Sequence, residues 1–352
     1  MRRFLALVLN EFKLTRTAMP PHIVAILLPT VLYLFMGTVL TSPFWRMNLQ
    51  QPKTDVGRAL QAAMQTVGSP IGDPYIDLHI IEQNQPENLR QVIVVEKENG
   101  VTTAVQHYGL IDANQVKNLR NRLTAAALKL WSAELDGHAI TIEEHPWLPR
   151  DYPYKLYFGM AILPLAMFLA ASISGSVLTA QDFEFGTIQE ERLAPTAVVL
   201  PVMARITRLT LFAYLSAALL LIVSGSLTGF WPASVWLVVS ALLPVGIIGA
   251  GVGIILGLIF RNSLTVYVLS MALSVTLWLF GNNFSLTYYG GLAALLTRFS
   301  PNTYAVYLIF PHFFGRQVNV SRTLSELALT LGVVGTVLAA LLTYRWRVRE
   351  GA

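Results

Sequence analysis

The sequence predicts an all-α polytopic membrane protein with six transmembrane helices and one inserted α/β domain. Hydrophobic residues make up 54% of the 352 residues and charged residues only 13%, whereas soluble domains are about 25% charged. The apolar residues concentrate in stretches long enough to cross a bilayer, which takes roughly 20 residues. This composition excludes a soluble globular enzyme, a disordered chain and a fibrous protein. The six predicted spans are residues 23–42, 156–179, 206–228, 234–260, 264–281 and 324–344.

The basic residues outside segment 43–155 predict how the spans are oriented in the membrane. They cluster on alternate sides of the spans, so that all clusters lie in the cytoplasm if the N-terminus does. The C-terminus then lies in the cytoplasm as well, and residues 43–155 and 282–322 lie outside. The clusters are Arg2, Arg3, Lys13 and Arg16; Arg192, Arg205 and Arg208; Arg261; and Arg345, Arg347 and Arg349.

Residues 2–18 are predicted to form an amphipathic helix that lies flat on the cytoplasmic leaflet. Phe4 and Val8 share a broad apolar face, and Arg3 and Lys13 lie on the opposite face. With the first span, this helix makes up the N-terminal region 1–42.

Segment 43–155 has the pattern of a soluble domain, with 11 basic and 13 acidic residues. A helix is predicted over Asp55–Val67 and a second from Asp112 to about Asp136. Alternating apolar residues predict strands at Tyr75–Glu82 and His138–Glu144. The turn dipeptide Asn99-Gly100 predicts a hairpin between Gln91–Lys97 and Val101–Gln106. We therefore expect an extracytoplasmic α/β domain that handles substrate or docks a partner.

The residues that would carry chemistry are largely missing. The chain has no cysteine and no phosphate-binding G-x-x-x-x-G-K-[ST] sequence. The six histidines are scattered without ligand spacing, so we predict no metal site, no catalytic residues and no enzyme. No predicted span carries a carboxylate at membrane depth, which argues against proton coupling. The function classes that remain are a channel, a scaffold and a transporter energised by another subunit.

Four glycines predict close helix packing. Gly249, Gly253 and Gly257 recur every four residues in the fourth span and so line one helix face, and Gly175 does the same with Ala171 in the second span. Packing within one subunit, a subunit interface and a sliding surface are all compatible with this pattern.

The region 181–205 between the second and third spans is predicted to be a cytoplasmic coupling element. Gly186 can break the descending helix and Thr187 can cap a new one. Glu190 and Glu191 would then lie near the positive N-terminal end of that helix. A short helix reached by a sharp turn gives a partner a surface to push against, and the alternative is a solvated loop.

This element resembles the cytoplasmic loop of the ABC-2 type transporter permeases, the membrane subunits of ATP-driven exporters. Their loop carries Glu-x-Gly-Thr, an aliphatic residue and a later proline, which correspond here to Glu184, Gly186, Thr187, Ile188 and Pro195. Two other elements resemble the family. They are Glu11 and Arg16 followed by Pro29 and Gly37 near the first span, and Pro301, Thr303 and Tyr304 before the last.

The resemblance implies a permease dimer, of two copies or two paralogues, driven by two cytoplasmic ABC ATPase subunits. ATP and magnesium would be held by those subunits, and this chain would bind no cofactor. Glu11, Arg16 and the 184–195 motif would receive the movement of the ATPases. The loop 282–322 would return as short re-entrant helices with an outer gate. The expected gate residues are Asn282, Asn283, Tyr288, Pro301, Thr303 and Tyr304.

Together these features predict an exporter of amphipathic, drug-like or lipid-like compounds in the bacterial cytoplasmic membrane. Its expected partners are the ATPases, membrane lipids and a possible periplasmic adaptor, and nucleic acid is not among them. The competing prediction is a non-transporting sensor or assembly scaffold whose 43–155 domain binds an external partner.

Overall fold

The computed structural model is mostly helical and consists of two compact units. Unit 1 comprises Met1–Gly37 and Pro153–Ala352, and unit 2 comprises Thr38–Tyr152. The residues that the structure describes are 4–9, 19–40, 46–68, 75–81, 91–98, 101–108, 113–134, 154–189, 199–281, 291–315 and 321–350.

Unit 2 contains a four-stranded sheet in the order β2-β1-β3-β4. The strands are β1 (Arg46–Gln50), β2 (Asp77–Ile81), β3 (Gln91–Glu98) and β4 (Val101–Tyr108). Strand β1 pairs in parallel with both β2 and β3, whereas β3 and β4 form the predicted antiparallel hairpin.

Among its described residues, unit 2 also contains two helices, α3 (Asp55–Thr66) and α4 (Ala113–Glu134). Thr54 caps α3 by accepting a 3.0 Å hydrogen bond from the Gly57 N–H, and such a cap satisfies one of the free donors at a helix start. The apolar faces of the helices and strands share one core. Its buried members include Met47, Leu49, Leu60, Met64, Ile93 and Ala126.

The central position of β1 was not predicted. Its five residues, RMNLQ, contain only two apolar side chains, which is too weak an alternation to identify a strand. Met47 and Leu49 are nevertheless fully buried, because both side chains belong to the core that the sheet shares with α3 and α4. The predicted strand His138–Glu144 and the turn Asn99-Gly100 lie outside the described residues.

Unit 1 contains the apolar helices. Residues 4–9 form a short helix, α1, with Val8 buried and Leu5 exposed; residues 10–18 of the predicted interfacial helix lie outside the described part. The helices that follow are α2 (Met19–Leu40), α5 (Tyr154–Ala161), α6 (Leu163–Glu184), α7 (Val199–Thr228), α8 (Val235–Phe260), α9 (Ser263–Leu279), α10 (Gly291–Phe299), α11 (Pro301–Phe314) and α12 (Arg322–Tyr344), the last continuing as a π-helical turn, Arg345–Glu350.

Four helical stretches among the described residues are long and apolar enough to cross a membrane: Lys155–Glu184, Val199–Thr228, Val235–Phe260 and Arg322–Val348. They indicate a membrane protein. The first and fifth predicted spans correspond to shorter apolar helices, Pro20–Met36 and Ser263–Leu279. Six spans therefore remain a prediction.

Helix α6 lies at the centre of unit 1. Every residue from Leu163 to Ala180 is buried, because α7, α8 and α9 pack around this helix. Small side chains such as Ala171 and Ser172 let the neighbouring helices approach closely.

The glycines of α8 face α6 of the same chain. A Cβ atom at Gly253 would lie 2.4 Å from the Ser172 carbonyl oxygen, and one at Gly249 would lie 2.8 Å from the Phe168 carbonyl oxygen. At Gly257 it would lie 2.7 Å from the Ser176 carbonyl oxygen. These distances are shorter than any van der Waals contact. The two helix backbones are therefore as close as glycine allows.

Candidate functional site

Residues from the ends of α6, α8 and α9 and from the body of α7 meet where α6 ends at Glu184. We call this group the Glu184 junction: Asp182, Phe183, Glu184, Gly186, Thr187, Arg205, Arg261 and Ser263. Phe185, next to the group, exposes 73% of its surface.

The chain turns sharply at Gly186. Its φ of 75° lies in the left-handed region, which glycine adopts readily and β-branched residues resist. The Gly186 N–H donates to the Phe183 carbonyl at 3.3 Å and so closes the end of α6.

The Thr187 hydroxyl contacts the preceding helix. It lies 3.1 Å from Oδ1 of Asp182 and 3.4 Å from the Asp182 carbonyl oxygen. We expected Thr187 to cap the next helix; residues 190–198 lie outside the described part of the chain, so the cap stays a prediction. The left-handed Gly186 reverses the chain and brings Thr187 back over the last turn of α6. The residue thus holds the turn closed.

Asp182 also joins α6 to α7 through a buried ion pair. Its Oδ2 atom lies 2.8 Å from Nη2 of Arg205, and the side chains are only 16% and 5% exposed. Nη1 of Arg205 donates to the Thr179 hydroxyl at 3.3 Å, one turn earlier on α6. Removing one member of such a pair leaves an uncompensated buried charge.

Glu184 connects α6 to the start of α9. Its Oε1 atom accepts a 2.7 Å hydrogen bond from the Ser263 backbone N–H. Asn262 caps the same helix start, since its Oδ1 accepts from the Thr265 N–H at 2.9 Å. A carboxylate at a helix N-terminus also interacts favourably with the helix dipole.

The two-residue turn between α8 and α9 packs on α6 as well. Arg261 ends α8 with a φ of 55°, a conformation that costs a non-glycine residue about 1–2 kcal/mol. Its guanidinium lies 4.8 Å from the centre of the Phe183 ring, at the distance of a cation–π contact. Contacts to Phe183 and Glu184 therefore hold this turn against α6.

The junction thus connects one chain reversal to three neighbouring helices. A displacement at Gly186 would reach α7 through Asp182 and α9 through Glu184. The contacts that link these elements are a hydrogen bond from Glu184, an ion pair from Asp182 and a cation–π contact from Phe183. Among the described residues, no group of three His, Asp or Glu side chains could hold a metal ion.

Of the predicted coupling residues, the structure brings Glu184, Gly186 and Thr187 together. Glu11, Arg16, Glu190, Glu191 and Pro195 lie outside the described residues. Asp182, Arg261 and Ser263 were not predicted as site residues. A signal for Asp182 was available, since a carboxylate at the end of an apolar helix needs a partner when it is buried.

Arg205 and Arg208 were predicted as positive charges flanking the third span, and their cytoplasmic placement stays a prediction. The structure adds that both lie inside α7 and are buried, Arg208 completely. They lie one turn apart and face the packed side of the helix. His22 is also fully buried, with Nδ1 2.9 Å from the Ser174 hydroxyl oxygen. Arg208 is thus a buried charge within the third predicted span.

The described gate residues lie at the corner between α10 and α11. The Thr303 hydroxyl donates to the Gly281 carbonyl at 2.7 Å, and the Tyr304 hydroxyl donates to the Arg298 carbonyl at 2.8 Å. Pro301 begins α11, where its missing N–H costs nothing. The corner is thereby fixed to the end of α9. Asn282, Asn283 and Tyr288 lie outside the described residues.

The sequence matches no known protein family model and no curated protein.

Proposed function

We propose that this chain is the permease subunit of an ATP-driven exporter of the ABC-2 type. It moves an amphipathic, drug-like or lipid-like compound out of the cytoplasm or the inner leaflet. Cytoplasmic ATPase subunits supply the energy, and a second permease copy or paralogue completes the pathway. In this proposal the chain crosses the bacterial cytoplasmic membrane six times, both termini are cytoplasmic and unit 2 is outside.

The lengths of the two shorter helices are compatible with six spans. Helix α2 has 22 residues and α9 has 17, which correspond to about 33 Å and 25 Å at 1.5 Å per residue. The hydrocarbon core is about 30 Å thick, and spans of 17–25 residues are accommodated by tilting or local thinning.

One observation carries the coupling proposal. The exposed end of α6 is bonded through Asp182 to α7 and through Glu184 to the start of α9. A partner that moves this end therefore moves three helices together. Phe185 adds a docking feature, because a large apolar side chain that is 73% exposed beside a polar turn suits a protein contact.

The test is ATP turnover by a candidate ATPase copurified with the full chain and measured against a substrate panel. Glu184→Ala removes the acceptor for the Ser263 N–H, and we expect it to lower substrate-stimulated turnover. Glu184→Gln is the matched control, because its amide oxygen can accept the same hydrogen bond. Equal turnover by wild type and the alanine variant would contradict the coupling role.

The Phe185→Ala variant tests binding of the ATPase separately from its coupling to the permease. We expect this variant to copurify with less ATPase, whereas Glu184→Ala should copurify with the normal amount. Failure of every candidate ATPase to bind, together with a specific ligand of unit 2, would favour the sensor or scaffold.

A further inference from the structure

Two cavities follow one another along helices α8, α11 and α12. The first has a volume of about 280 Å³ and the second about 350 Å³, and Leu329 of α12 lines both. Pro244 of α8 lines the first and Ile248, one helical turn further on, lines the second. They therefore form a groove that runs from the starts of α8 and α12 toward the middle of these helices. We call it the α8–α12 groove.

The first cavity carries both signs of charge. Arg322 and Glu326 lie one turn apart on α12, and Nε of Arg322 donates to Oε1 of Glu326 at 2.7 Å. The side chains are 70% and 51% exposed. Within the described part of the chain, this bond uses only the Nε–H of Arg322, so the two Nη groups can serve a ligand. Leu237, Pro244 and Leu308 give the same cavity apolar walls.

His312 lies on the opposite wall, near the end of α11. Burial and the nearby Arg322 guanidinium lower the pKa of its imidazole. The ring is therefore neutral at pH 7 and can donate or accept a hydrogen bond without adding positive charge. The charges of Arg322 and Glu326 thus balance at this end.

The second cavity is mainly apolar. Its walls include Phe168, Ile248, Val252, Leu277, Phe299 and Gly332. Its charged residue is Arg298, which is exposed. A groove with paired charges at one end and apolar walls beyond them has the polarity pattern of a phospholipid.

We propose that the α8–α12 groove binds a zwitterionic phospholipid, with the headgroup at Arg322 and Glu326 and an acyl chain extending past Leu329. The phosphate lies against the Nη groups of Arg322, and the headgroup ammonium lies against the Glu326 carboxylate. A headgroup with a phosphate and a primary amine, as in phosphatidylethanolamine, satisfies both charges. A purely anionic headgroup satisfies Arg322 and is repelled by Glu326.

This binding requires unit 1 to lie in a membrane, and it does not depend on an ATPase. If the groove binds no lipid, the coupling proposal still holds, because lipid binding is measured on the chain alone. If no ATPase couples to the chain, the lipid proposal still holds for the same reason.

The experiment is native mass spectrometry of the purified full chain, equilibrated in detergent with equal amounts of phosphatidylethanolamine and phosphatidylglycerol of the same acyl chains. The wild type is expected to retain one phosphatidylethanolamine per chain in preference to phosphatidylglycerol. Arg322→Gln should lower the affinity for both lipids about tenfold, as expected for the loss of a charge-assisted hydrogen bond. Glu326→Gln should abolish the preference between them.

Arg58→Gln in unit 2 is the matched control, since it removes an exposed positive charge from outside the groove and should leave the occupancy unchanged. Ala328→Phe, which narrows the second cavity, should lower the occupancy if the acyl chain lies there. All four positions are at least partly exposed, and retention of the wild-type elution volume verifies folding.

Equal retention of the two lipids by the wild type would overturn the proposal, as would wild-type occupancy in Arg322→Gln. A loss of lipid from Arg58→Gln as large as that from Arg322→Gln would overturn the placement of the headgroup. Wild-type occupancy in Ala328→Phe would overturn the path of the acyl chain.

Discussion

The carboxylate of Glu184 accepts a 2.7 Å hydrogen bond from the backbone N–H of Ser263, 79 positions further along the chain. The last residue of one helix thereby contacts the first residue of another. Two further connections, from Asp182 to Arg205 and from Phe183 to Arg261, come from the same turn of α6. The end of α6 therefore cannot move without straining contacts to its neighbours.

Substitution of Gly186 should alter coupling more than stability. At a φ of 75°, valine costs more than the roughly 1–2 kcal/mol expected for an ordinary L-residue, because it is β-branched. We expect Gly186→Val to lower substrate-stimulated ATP turnover of the copurified complex while membrane insertion stays normal. Gly186→Asn, which tolerates this conformation, should retain most of the turnover. If both variants match wild type in turnover and export, the element is only a loop.

The ion pair between Asp182 and Arg205 should behave as a single unit. Arg205→Met leaves the Asp182 carboxylate buried without its cation and should destabilise unit 1 by about 3–5 kcal/mol. The double variant Asp182→Asn, Arg205→Met should recover a large part of that loss. A double-mutant cycle of unfolding free energies in detergent measures the coupling, and strictly additive effects would refute a buried pair.

Gly253→Ala should push α6 and α8 slightly apart and so destabilise unit 1. The added Cβ would lie 2.4 Å from the Ser172 carbonyl oxygen and 3.0 Å from the Ser172 Cα, and backbone atoms can yield only if the helices shift. Such overpacking costs about 1–3 kcal/mol, so the thermal midpoint should fall. Gly335→Ala is the control, because nothing lies within 4 Å of its added Cβ and alanine favours a helix. A similar fall in both variants would contradict the packing argument.

Single cysteines test the orientation, since the chain has no cysteine of its own. Gln65 of α3 and Phe185 beside the Glu184 junction are both exposed. An impermeant thiol reagent should label Gln65→Cys in intact cells and Phe185→Cys only after permeabilisation. The reverse pattern would invert the proposed topology.

The isolated chain should not hydrolyse ATP, because its sequence contains no G-x-x-x-x-G-K-[ST] loop to hold the phosphates. The measurement is phosphate release by a preparation shown to be free of other ATPases. ATP hydrolysis that copurifies with the chain through a final purification step would contradict the proposal that separate ATPase subunits supply the energy.

The sequence predicted elements whose signal is local. A run of apolar residues identifies a long helix such as α8 wherever that helix lies, and Gly186 marks a turn because few other residues adopt its φ. The hairpin of β3 and β4 was predicted because alternation and the turn dipeptide are both short-range. The outline of the helices, the hairpin and the chain reversal therefore followed from the sequence alone.

The tertiary structure decided what depends on distant neighbours. Strand β1 is central because β2 and β3 cover its edges, not because its own residues favour a strand. Arg205 looks the same in sequence whether it marks a membrane surface or pairs with Asp182, 23 residues earlier. Likewise, the glycines of α8 predict that another helix approaches closely but do not identify which helix it is. Only the three-dimensional arrangement of α6 identifies it, because burial and contact depend on which helix face meets which neighbour.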